Sequence, residues 1–250
     1  MKRLTLNGLI CTVVLATMSV ARPHEVMAQR ELRRLPATQV VINEDILAAF
    51  VDEPCRHFEA ARDAFVRGED EQAAHSLRIA SAFLRLEAAR ATANGKVMLD
   101  ASVRDLQRLA VSIENNQVRA IEALQQAFAR THYALAGHHC IRSAHRCCQP
   151  AAFKDERSMN RVGHDLNAAA THLKRGALWA GSEPDAETLK ALNAAQLSAQ
   201  QMIRTGEAPQ GEVTRAIQSV RDKLEEFTGR KIMLAPPLAE DDKLGPPIFR

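Results

Sequence analysis

The chain has 250 residues, with 33 Lys and Arg against 30 Asp and Glu, a formal charge of +3, and only 4% aromatic residues. So nearly balanced a charge leaves no electrostatic footprint for nucleic acid. With 11 glycines and 10 prolines, turns are too few for a strand-rich fold, and the core has to be built from Leu, Ile, Val and many alanines.

The first residues have the layout of a secretory signal peptide. Lys2 and Arg3 are followed by the uncharged run "LTLNGLICTVVLATMSVA", Leu4 to Ala21, and then by Val26 and Ala28 at cleavage-compatible spacing. The run lies at the lower edge of what can span a bilayer and contains Asn7, so removal of residues 1–28 is expected rather than anchoring. The expectation is an exported protein, periplasmic or secreted, with no membrane span after cleavage. Of the five cysteines, Cys11 leaves with this segment, and Cys55, Cys140, Cys147 and Cys148 remain. In an oxidising compartment these are disulfide candidates.

After a linker over 29–43, apolar residues recur three and four apart, as in Ala74, Leu77, Ala80, Leu84 and Ala88. Helices are expected at 44–66, 70–93, 98–115, 117–148, 155–180, 185–204 and 211–229. They are punctuated by Gly68, Asn94-Gly95, Asn115-Asn116, Pro150, Gly181 with Pro184, and "TGEAPQG". The fold class is all-α, a bundle of six or seven antiparallel helices over 44–229. The Pro-rich stretch 230–250, "APPLAEDDKLGPPIFR" at its end, reads as an extended, disordered tail.

The chain also matches itself. "HSLRIASAFLRLEAARA", from His75, aligns without a gap with "HDLNAAATHLKRGALWA", from His164, and "RAIEAL" at Arg119 recurs as "RAIQSV" at Arg215. This order suggests a tandem duplication of a three-helix unit, with halves at about 44–127 and 128–229. The segment "AARDAFVRGEDEQAAHSLRIA", Ala60 to Ala80, resembles the helical hairpins of tetratricopeptide repeats and the small periplasmic helical YfdX proteins. Resting on alanines and one glycine, this resemblance implies a helical hairpin and carries no functional weight.

Chemistry is concentrated in "GHHCIRSAHRCCQP", Gly137 to Pro150. On a helix His138 and His145 share one stripe, Cys140 and Cys147 a second, and His132 and His139 a third. Seven residues are two turns, about 10.5 Å along the axis. That is too far for two side chains to chelate one ion unaided, or for a Cys140–Cys147 disulfide in an intact helix. His145 and Cys148 are the only pair at neighbouring spacing. The metal-ligand candidates are His138, His139, Cys140, His145 and Cys148. A site would have to be assembled across helices, with Cys55, His57, His75, His164 or His172 as partners, and copper or zinc as the ion. A disulfide from Cys55 to Cys140 would instead join the first helices of the two halves and leave Cys147 and Cys148 as adjacent thiols.

Haem-attachment, zinc-protease and di-iron spacings are absent, as are phosphate loops and nucleophile elbows. The function expected from sequence is therefore non-catalytic, with no cofactor required. It is an exported helical interaction or scaffold protein with a protein partner, or alternatively a metal-binding or metal-buffering bundle using residues 138–148.

Overall fold

The computed structural model describes residues 52–149, 153, 155–230 and 232, all within the unit Asp45–Arg250. The expected signal peptide, the linker and the tail after residue 232 lie outside the described residues. Those described form seven α-helices and no strand: α1 (Glu53–Val66), α2 (Asp70–Ala89), α3 (Ala93–Glu114), α4 (Ile121–Cys147), α5 (Glu156–Trp179), α6 (Ala186–Thr205) and α7 (Gln210–Thr228). None is long and apolar enough to cross a membrane.

Local chemistry sets the ends. Pro54 sits in the first turn of α1, where its missing N–H costs nothing. The Asp155 side chain accepts from the amides of Arg157 and Ser158, and Asp185 accepts from Thr188, so both cap the orphan donors of a helix start. Thr92 caps α3 by accepting from the Gly95 amide. That cap places Asn94-Gly95 inside the first turn of α3, and explains why the helix starts at Ala93 rather than at the expected 98. Gly206 closes α6 at φ 66°, a left-handed conformation that glycine adopts without steric penalty.

Each helix packs on its sequence neighbour through a short connection, the up-and-down arrangement of a bundle. Two apolar cores result. The first joins α1, α2, α3 and the front half of α4 through Phe58, Leu77, Leu84, Leu99, Leu106 and Phe128. The second joins the rear half of α4 with α5, α6 and α7 through Met159, Leu166, Leu173, Leu192, Val213 and Leu224. The change of core falls within α4, between Leu135 and Ala136. The duplication remains a reading of the sequence, and the two histidines at its matched positions, His75 and His164, are both exposed.

Because α4 contacts α1, α3, α5 and α7, every residue from Thr131 to Ser143 except the half-buried Tyr133 is buried. Its polar residues cannot turn to water and have to find partners inside. Close helix approach is made possible by small residues. A Cβ added at Gly163 on α5 would stand 2.7 Å from the Ala199 carbonyl oxygen and 2.9 Å from Met202 Cβ on α6. We therefore expect Gly163→Ala to cost about 1–3 kcal/mol, because the overlap with backbone exceeds the gain in helix propensity. Urea denaturation followed by circular dichroism measures this, and an unchanged midpoint would contradict the close packing.

Candidate metal centre in the bundle core

The facing surfaces of α4 and α5 carry two heptad-spaced polar stripes. On α4 these are His132, His139 and Arg146; on α5, running the other way, His172 and Asp165. The stripes interdigitate. His172 enters the two-turn gap between His132 and His139: its Nδ1 lies 3.2 Å from His132 Nδ1, and its ring stacks on His139 with centroids 5.7 Å apart. Asp165 comes next, with its carboxylate 3.1 Å from His139 Nδ1 and 3.5 Å from Arg146 Nε. Arg142, one turn after His138, sits 3.4 Å from Oδ2 of Asp165, the oxygen that Arg146 also faces.

Two further helices close the ends of this ladder. Cys55, near the start of α1, brings its thiol to His132 and His172, so that one ligand atom from each lies within 4.8 Å of the other two. All three residues are buried, at 5%, 0% and 1% exposure. Arg175 lies at this end, its charge acting on the Cys55 thiol while it pairs with Asp52 at 2.7 Å. At the other end Glu87 of α2 meets His138 at 3.4 Å, and with His139 forms a second group of potential ligands.

The two groups differ in chemistry. Glu87 already faces the guanidiniums of Arg90, at 3.8 Å, and Arg142, at 3.9 Å, so an incoming cation would compete with two fixed positive charges. Cys55, His132 and His172 have no carboxylate to neutralise, and the Nε2 atoms of both histidines are buried without a hydrogen-bond partner. An imidazole pair in contact through Nδ1 alone leaves such atoms unsatisfied in either tautomer.

The electrostatics follow from burial. Desolvation, with a smaller contribution from Arg175, pushes His132 down to about 3. Desolvation also takes His138 down to about 4 against the opposing pull of Glu87, and it holds His172 well below the usual range. Burial alone would raise Glu87, but the His138 contact and the His139 and Arg90 charges outweigh it and hold the carboxyl at about 2. Asp165 is likewise lowered, the His139 contact and Arg142 overcoming its burial. The Cys55 thiol is raised to about 11 by burial, which Arg175 only partly offsets.

The set expected from sequence is divided by this arrangement. His138 and His139 come together, with Glu87 as the third member. Cys140 points the other way: its thiol faces the Ile217 carbonyl on α7 at 3.8 Å, within the second core. His145 is half-buried in the last turn of α4, and Cys148 is exposed beyond it. The expected Cys55–Cys140 disulfide is not formed. Cys55, Cys140, Cys147 and Cys148 are all free thiols, because Cys55 faces the α4–α5 seam while Cys140 occupies the α7 side of α4. Of the expected partners, His172 and Cys55 enter the seam. His75 and His164 are exposed, and His57 lies against Phe83. Sequence reasoning missed Glu87 and Asp165, and saw His132 only as part of a stripe. The signal was present in the matching heptads His132-x6-His139-x6-Arg146 and Asp165-x6-His172 on consecutive helices.

These directions predict an acid-labile fold. Below about pH 6.5 the unfolded chain takes up protons that His132 and His138 refuse when folded, so stability falls with pH at up to ~1.4 kcal/mol per unit for each. The lowered Glu87 and Asp165 act in the same sense below about pH 4.3, as the unfolded carboxyls protonate first. Urea midpoints should drop steeply from pH 7 to pH 5, and His138→Gln should flatten the slope by one histidine's share. A midpoint independent of pH over that range would contradict neutral, buried histidines. Comparison of the chain with protein-family models, curated proteins and solved structures gives no match, so the chemistry of this seam stands on its own geometry.

Proposed function

We propose that this bundle binds a transition-metal ion between α1, α4 and α5, through Cys55, His132 and His172, and that its role is to hold or buffer that ion. The observation that carries the reading is the convergence of one thiol and two imidazoles from three helices inside a 4.8 Å circle. Two Zn–N-type bonds of about 2.0–2.1 Å place their nitrogens roughly 3.3–3.6 Å apart at tetrahedral to trigonal angles. The His132–His172 nitrogen separation of 3.2 Å is already near this, so binding needs little rearrangement of the helices. Metal coordination would also fix one tautomer for both rings.

The ligands come from across the bundle, as the helical spacing of Gly137–Pro150 requires, but they are centred one to two turns before that stretch. We place the protein outside the cytoplasm and regard it as non-catalytic, on the strength of its N-terminal sequence and the absence of catalytic motifs. Interaction with a protein partner is the alternative role.

Isothermal titration of the reduced protein with copper(I), zinc and nickel tests the reading. One ion per chain should bind, and Cys55→Ser should weaken binding by about a hundredfold or more. Cys140→Ala and His138→Gln should leave it within about threefold, with helicity by circular dichroism preserved in every variant. Affinity weaker than micromolar for all three ions would overturn the proposal, as would equal loss in the Cys140 variant.

A further inference from the structure

Resting on the metal-binding reading above, the geometry points to monovalent copper, held as a neutral three-coordinate complex by Cys55, His132 and His172, as the ion this site is built for. Three observations lead there.

The first is the donor set. A thiolate is a soft ligand that favours copper(I) as well as zinc, and imidazole suits both ions. Type of donor therefore narrows the field without deciding it.

The second is coordination number. Zinc in proteins takes four ligands, or three with an open position for water. Here three ligand atoms converge, and aromatic rings close around them. Phe58 sits edge-on to His132 at 5.5 Å, and His139 stacks on His172. Phe58 itself is fully buried against Phe128, their centroids 4.6 Å apart. Asp165, the carboxylate nearest along the ladder, is already engaged by His139, Arg142 and Arg146. A site at which three donors converge, walled in part by these rings, suits an ion content with three ligands.

The third is charge. On binding, the Cys55 S–H bond breaks, a sulfur–metal bond forms, and the proton leaves to solvent past the partly exposed Arg175. Copper(I) with one thiolate and two neutral imidazoles then has net charge zero. A divalent ion would leave the complex at +1, with no carboxylate among the ligands and with the neighbouring Arg175 guanidinium paired to Asp52. An uncompensated buried charge costs several kcal/mol after relaxation, so neutrality selects the monovalent ion.

The experiment uses the full folded chain, reduced and under anaerobic conditions. Copper(I) is titrated in competition with a chromophoric copper(I) chelator, and zinc(II) in a parallel series, with X-ray absorption at the copper edge of the loaded protein. The expected result is one copper(I) per chain, one proton released per ion, and a first shell of one sulfur and two nitrogens. Zinc should bind at least about a hundredfold more weakly. Arg175→Met should narrow that gap by about tenfold, by removing the charge that penalises the divalent ion. Tighter binding of zinc than copper(I), a four-coordinate copper shell, or an unchanged gap in Arg175→Met would overturn the copper assignment and leave the metal site standing. No binding of either ion would overturn both. The absorption measurement on the unaltered chain decides the ligand set even if a variant fails to fold.

Discussion

The structure depends on the burial of α4. From Thr131 on, α4 is packed by neighbours on several sides, and it carries Thr131, His132, His138, His139, Arg142 and Ser143 into the interior. Each buried polar group without a partner costs about 1–3 kcal/mol, so partners had to be supplied by the surrounding helices. Asp165 and His172 on α5, Glu87 on α2 and Cys55 on α1 meet part of that need. The polar ladder is thus the counterpart of the two apolar cores that flank it, and it runs through the same helix in which they meet.

Such a seam is an unusual way to stabilise a bundle. Buried charge pairs contribute little net stability compared with apolar residues of the same volume, and a partly satisfied network is worse than an apolar core. Leucines at 132, 139 and 172 would give a simpler coiled-coil-like interface. Four histidines in contact, several with a ring nitrogen unpartnered, are in keeping with the metal site proposed above. The asymmetry between the two ends gives the same message. The Glu87 end is already neutralised by guanidiniums, whereas at the Cys55 end burial opposes charge on the thiol and on both rings.

Much of this was legible in the sequence, and what was not has identifiable causes. The helices α2, α4, α5, α6 and α7 follow the apolar periodicity to within a few residues, because Gly206, Asp155, Asp185 and the like act locally. The start of α3 was misplaced because Asn94-Gly95 looks like a break when the Thr92 cap is not considered. The cysteine and histidine stretch drew attention for its density, yet density is a property of the chain and ligation a property of space. Cys140 lies next to His139 in sequence and faces a different helix. His132 is seven residues from His139 and shares its seam through His172.

By itself the sequence determined an all-helical bundle with an alanine-rich core, and the rule that a seven-residue spacing cannot ligate one ion within a single helix. Both follow from local geometry, the 3.6-residue turn and the short range of capping. Tertiary structure alone decided which thiol meets which imidazole, because that depends on the register and rotation of α1 and α5 against α4. A shift of one residue in either would turn Cys55 or His172 by about 100° and dissolve the site. Interdigitation of the two polar stripes sets that register, and neither stripe contains the information alone.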